Sequence, residues 1–228
     1  MSKLVLFDVD GTLVLSGGAG LRAMTCTFEE IFQVQDGFAG ISMAGGTDTV
    51  ILDAAIMRLG LEVSPAVRVC FHEKYCVRLA QEILLPGPRK GVMPGVRELL
   101  NIISKRDDVI IGLLTGNVAK AARIKLEHFD LWHYFPFGAY GDDAPERDTL
   151  VEVAIRRAQE QGAPMVTPND ILIVGDTPLD VACAIATGSR AVAVATGWFD
   201  EQALRDSGAD VVFGDLRDTG SFLELLVD

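Results

Sequence analysis

At 228 residues the chain is long enough to bury a substantial core, as one large domain or as a core with a small insert. Hydrophobic residues make up 49% and charged residues 23%, a globular balance with no low-complexity segment, and no apolar run reaches the roughly 18 residues of a membrane span. The formal charge of −12 speaks against nucleic acid or an anionic membrane as a partner, because both need clustered basic side chains.

The amino terminus lacks the basic, apolar, small-residue order of a signal peptide. The cysteines, Cys26, Cys70, Cys76 and Cys183, form no Cys-x-x-Cys pair, so neither a zinc site nor a disulfide framework is expected and a reduced cytoplasmic setting follows. Leu4 to Phe7 then read as a short strand buried on both faces, ending on Asp8 and Asp10 and the Gly11 turn. Two acids at the mouth of an apolar sheet repel each other and lose solvation, so they need a cation, a proton or both.

Val14 to Gly20 is a glycine-rich connection. Leu21 to Val34 has helical apolar spacing, and Thr47-Asp48 starts a second helix that Gly60 ends. Ser64-Pro65 starts a third, running to about Leu84. Leu85 to Gly95 carries the densest proline and glycine punctuation and reads as the return linker from a helical insert. Beyond it, Val96 to Ile103, Val118 to Phe129 and Leu150 to Gln161 read as helices, and 109–114, 171–174, 191–195 and 211–213 as strands. Such alternation predicts a doubly wound parallel sheet.

The carboxyl ends of parallel strands share one edge, so the residues closing each strand converge. They are Asp8 and Asp10, then Thr115-Gly116-Asn117, then Asp176 and Asp180, joined by Arg147 just before a helix. Carboxylates without paired histidine or cysteine suit an octahedral, oxygen-only magnesium site. In that setting Asp8 would attack phosphorus and Asp10 would protonate the leaving oxygen and later take a proton from water. Magnesium would bridge Asp8, phosphate and Asp176, while Thr115 and Arg147 would donate to the phosphoryl oxygens.

The Asp8-x-Asp10-Gly11-Thr12-Leu13 string resembles the signature of the haloacid dehalogenase-like hydrolases, mostly magnesium-dependent phosphatases. The likeness extends in order through Thr115-Gly116-Asn117, a basic residue before a helix, and Gly175-Asp176-x-x-x-Asp180. It implies that Asp8 is the nucleophile, that Asp10 is the acid/base whose backbone carbonyl also binds metal, that Asp176 is a metal ligand, and that Asp180 supports it. Most relatives place lysine, often followed by proline, where Arg147-Asp148 stands. Lys120 and Lys125 are the alternatives, but their amphipathic helix suggests that both face solvent.

The insert resembles the small helical cap of the phosphoglycolate phosphatase and β-phosphoglucomutase branch. The expected organisation is an α/β Rossmann-like core of residues 1–13 and 92–228 with an all-helical cap of residues 14–91. Gly17, Gly18, Gly20 and the 85–95 linker would serve as hinges. Arg22, Thr47 and Asp48 are candidate substrate contacts beside Gly45 and Gly46, although relatives often carry arginine where Gly46 stands.

The expected activity is hydrolysis of a small phosphorylated metabolite, phosphoglycolate-like or a sugar phosphate, with Mg2+ and an aspartyl-phosphate. The protein is expected to act as a monomer or homodimer without nucleic acid or membrane. A phosphomutase of the same fold and a non-catalytic phosphate sensor or receiver are the alternatives. A dehalogenase is disfavoured because those enzymes lack the second motif aspartate.

Overall fold

The computed structural model describes residues 2–227. Its centre is a six-stranded, wholly parallel sheet with β1 (Lys3–Phe7) in the interior. On one side of β1 lie β4 (Val109–Leu114) and then β5 (Gly138–Ala139). On the other lie β6 (Ile171–Gly175), β7 (Arg190–Val194) and β8 (Val211–Phe213). β2 (Val14–Leu15) and β3 (Gly91–Val92) form a separate antiparallel pair.

The unbroken apolar run of β1 follows from its place in the sheet. Side chains alternate between faces, and both faces are covered. Val5 and Phe7 pack against α4 (Val96–Ile103), α5 (Ala119–His128) and α9 (Thr219–Glu224) through Leu99, Leu126 and Phe222. Leu4 and Leu6 belong to the opposite layer, formed with α6 (Arg147–Glu160), α7 (Pro178–Thr187) and α8 (Glu201–Asp206) through Leu150, Val181 and Leu204.

Between β2 and β3 the chain forms α1 (Ala19–Phe32), α2 (Asp48–Arg58) and α3 (Pro65–Glu82), the helical cap. Its core includes Phe28, Phe38, Phe71 and Tyr75, with Phe28 and Phe38 edge to face at 5.2 Å. Val118 and Ala121 beside and on α5 join that cluster, so the cap packs directly on the α/β layer. The segments entering and leaving the cap pair with each other, Val14 with Val92 and Leu15 with Gly91. Gly17 lies against Gly87, where a Cβ on Gly87 would collide with the Gly17 carbonyl.

The expected helices and strands form with their ends unchanged or moved by up to three residues. Thr47 caps α2 by accepting from the Val50 amide at 3.2 Å, whereas Ser64 stands at the N-cap of α3 without a side-chain cap bond. β2, β3 and β5 were not expected. Each is two residues long, too short to set up an alternating pattern. Among the described residues no helix is long and apolar enough to cross a membrane.

Candidate active site

The ends of β1, β4 and β6 meet under the cap around a cavity of about 540 Å³. Asp8 follows β1 directly and is buried, its amide donating to the Val174 carbonyl at 2.9 Å. The chain then turns at Gly11, where φ is +86° and a Cβ would strike the Asp176 carboxylate, so glycine is required for both reasons. Thr12 donates its hydroxyl to Asp176 Oδ1 at 3.1 Å, and Thr196 donates to the Gly11 carbonyl at 2.5 Å.

After β6, Thr177 caps α7 with Pro178 in the first turn and Asp180 as the reciprocal partner. Asp180 Oδ2 accepts the Thr177 amide at 3.1 Å and its hydroxyl at 2.7 Å. Its other oxygen receives Arg147, and Asp8, Asp176 and Asp180 form a buried triad in which one carboxylate oxygen from each lies within 4.8 Å of the others. The motif implied a metal role for the Asp10 backbone carbonyl and a supporting one for Asp180; the structure places the Asp180 carboxylate beside those of Asp8 and Asp176 and turns the Asp10 side chain toward Asn117 and Lys125.

Asp10 is held from the β4 side. Asn117 Nδ2 donates to Asp10 Oδ2 at 2.8 Å and to the Thr115 hydroxyl at 2.9 Å. Lys125, only 4% exposed, donates to Asp10 Oδ2 at 2.5 Å and to Asn117 Oδ1 at 2.6 Å. The expectation that Lys125 faces solvent is therefore corrected. Val118, Ala121, Ala122, Lys125 and Leu126 are buried at helical spacing, and Lys125 stands on that inner face where an acid awaits it. A lysine interrupting the apolar stripe was the available signal.

Arg147, the first residue of α6, reaches Asp8 and Asp180 of the cluster. Nη2 lies 3.1 Å from Asp8 Oδ1 and also bonds Asp180, Nη1 donates to the Gly45 carbonyl at 2.9 Å, and buried Nε has no partner among the described residues. Burial opposes its charge, but Asp180 and Asp8 outweigh that and keep it firmly protonated. Burial raises Asp8 to about 6 despite Arg147, with Asp180 and Asp10 adding to the rise. Asp176 is pushed to about 9, by burial first and then by Asp180 and Asp8. Crowded, buried carboxylates with so few donors are short of positive charge, and their oxygen-only chemistry fits a hard divalent cation.

The remaining expected contacts divide. The Gly116 carbonyl accepts the Asp48 amide at 2.7 Å, and a Cβ at Gly116 would collide with the Gly46 carbonyl, so this glycine lets the cap lie on the end of β4. Asp48 lines the cavity, and its Oδ2 accepts the Val118 amide at 2.9 Å from the start of α5. Thr47 and Thr115 are buried but do not form its wall. Arg22 turns away, donating to Glu82 Oε2 at 2.8 Å and to the Gly17 carbonyl at 2.7 Å.

This geometry has counterparts. A family profile described as haloacid dehalogenase-like hydrolase matches residues 5–194. The chain belongs to the haloacid dehalogenase-like hydrolases. It is 25% identical over 225 residues to phosphoglycolate phosphatase 1 of Pseudomonas aeruginosa, covering 96% of this chain and 78% of that protein. It is 29% identical over 225 residues to the phosphoglycolate phosphatase of Rhodospirillum rubrum, covering 98% and 91%. The crystal structure of a predicted phosphoglycolate phosphatase from Haemophilus somnus shares the fold, with a TM-score of 0.71, 22% identity and coverage of 97% and 98%. Family and relatives together make this haloacid dehalogenase-like hydrolase a phosphatase.

Proposed function

We propose that this hydrolase is a magnesium-dependent phosphomonoesterase that acts on a small phosphorylated metabolite through a phosphoaspartate at Asp8. The observation carrying this reading is that the two motif acids stand in opposite settings. Asp8 is buried beside Arg147 in the carboxylate cluster, whereas Asp10 reaches the cavity from Lys125 and Asn117.

An Asp8 carboxylate oxygen bonds to phosphorus as the bond to the alcohol oxygen breaks, and Asp10 gives that oxygen a proton. Water then attacks phosphorus, Asp10 takes its proton, and the Asp8–phosphorus bond breaks to release inorganic phosphate. Arg147 Nη2, already at Asp8, would donate to the phosphoryl oxygens. The buried Thr115 hydroxyl accepts from the Asn117 amide and side chain and so fixes Asn117 at the wall of the cavity. A magnesium ion held by Asp8, Asp176 and the Asp10 carbonyl, with Asp180 in support, would supply Lewis-acid charge cancellation between nucleophile and substrate.

The 14–91 segment would open and close on the β2–β3 pair, admitting substrate and then excluding water. Four unpaired thiols are compatible with the cytoplasmic setting expected from the sequence. The test is release of inorganic phosphate from p-nitrophenyl phosphate, 2-phosphoglycolate and sugar phosphates, with magnesium and with chelator. Metal-dependent release abolished by Asp8→Asn is the expected result. Release that survives the substitution would remove Asp8 as nucleophile.

A further inference from the structure

The floor of the cavity is charged and polar: Asp8, Asp10, Asp176, Asn117, Lys125 and Arg147 line it. Its roof is mainly apolar, with Asp48 of α2 as the one carboxyl there among the described residues. Leu21 and Met24 of α1, Met43 and Ala44 of the following loop, Ile51 of α2 and Tyr75 of α3 line the cavity from the cap. Leu21 remains 47% exposed and Trp198, at the side, 78% exposed. Large apolar groups left open around a cavity mark a surface meant to be covered, and methionines adapt their shape to an apolar guest.

Cations are the scarce element. Among the described residues lining the cavity, Lys125 and Arg147 are the only basic ones, and each already faces a carboxylate of the floor. Lys125 is committed to Asp10 and Asn117, and Arg147 to Asp8, Asp180 and the Gly45 carbonyl. Arg22 is paired with Glu82 and bonds the Gly17 carbonyl, and Arg89, outside the lining, donates to the carbonyls of Thr196 and Gly197. The carboxyl that the cap itself brings to the cavity is Asp48.

A substrate carboxylate bound away from the phosphate would thus meet an acid and apolar carbon instead of a cation. Burying a charge without a partner is strongly unfavourable. A polyol fares little better, since Ser16, Ser42 and Tyr75 supply few hydroxyls for many, and each unmatched buried polar group carries its own penalty.

We propose that the alcohol released from this site is uncharged and largely apolar, an aryl or medium-chain alkyl group, and not a hydroxy acid such as glycolate or a sugar. The inference rests on the phosphatase reading for the reaction, but the binding site can be tested without turnover. Phosphonates keep the phosphoryl charge and cannot be hydrolysed. With magnesium present, affinities are measured calorimetrically for benzylphosphonate, an isostere of phenyl phosphate, and for 3-phosphonopropionate, an isostere of 2-phosphoglycolate. Benzylphosphonate is expected to bind at least ~10-fold more tightly, and kcat/KM for phenyl and hexyl phosphate to exceed that for 2-phosphoglycolate and glucose 6-phosphate.

Leu21→Arg places a cation on the half-open roof without touching the carboxylate cluster, and should shift the affinity ratio toward 3-phosphonopropionate by ~10-fold. Equal or tighter binding of 3-phosphonopropionate by the unsubstituted protein overturns the proposal, as does failure of either phosphonate to bind at millimolar concentration. Preferred hydrolysis of 2-phosphoglycolate, dependent on magnesium and on Asp8, would overturn it while leaving the phosphatase reading intact. The expected phosphonate order without turnover of any ester would support the pocket and remove the phosphatase.

Discussion

Replacing Lys125 by methionine keeps the length of the side chain in its buried slot and removes the charge that holds Asp10. Lys125 makes one charge-assisted bond to Asp10 at 2.5 Å, and Asn117 still reaches the same oxygen at 2.8 Å, so the acid is loosened and not released. Such bonds contribute about 1.5–3 kcal/mol. The Asp10 side chain is 40% exposed, which screens the interaction toward the lower end. About 1.5 kcal/mol corresponds to a roughly 10-fold fall in rate where proton donation matters.

Leaving-group dependence tests whether the loss passes through Asp10. Phenoxide needs a proton as it departs, whereas p-nitrophenoxide leaves without one. The ratio kcat/KM, which covers the steps through alcohol release, should fall about 10-fold for phenyl phosphate and much less for p-nitrophenyl phosphate. Equal losses on both esters would refute a positioning role, placing Lys125 on the phosphate or in the packing. An unchanged ratio for both would show that Asn117 alone orients Asp10.

Burial pushes Asp48 up to about 7, with Lys125 and the Val118 amide opposing the shift and Asp10 adding to it. Because the folded value lies above the ordinary 3.8, the folded protein holds this proton longer, and stability falls as pH rises from about 4 through 7. Asp48→Asn keeps an acceptor for Val118 and should gain in melting temperature over the unsubstituted protein across that interval. A difference that stays flat with pH would rule out Asp48 as the source. Magnesium at 100 times its dissociation constant should stabilise the fold by about 2.7 kcal/mol, read as a rise in melting temperature that chelator reverses. Asp176→Asn should shrink that rise, and an undiminished shift would place the ion elsewhere.

Much of the acidic cluster could be read before any coordinates, because parallel strands bring their carboxyl ends to one edge whatever the distance between them in sequence. Asp8 and Asp176 are separated by most of the chain, yet each follows an unbroken apolar run, and the two runs are neighbours in the sheet. Arg147 was legible for a similar reason: a basic residue opening a helix sits at the same edge of the layer. The helical cap could also be read, since its glycine and proline boundaries are local in sequence and its helices carry their own apolar spacing.

What the sequence by itself determined was therefore the fold class, the cap and the acids that close the strands. These depend on local periodicity and on a general property of parallel sheets. Tertiary structure decided which partner each charge found. Lys125 turns inward to Asp10, Arg22 pairs with Glu82 at the other end of the cap segment in sequence, and Asp180 gives one oxygen to a helix cap and the other to Arg147. Helical spacing tells which face a side chain occupies, but not what lies opposite that face. For an ion, whose energy is set by its nearest counter-charge and its distance from water, that opposite surface is what matters.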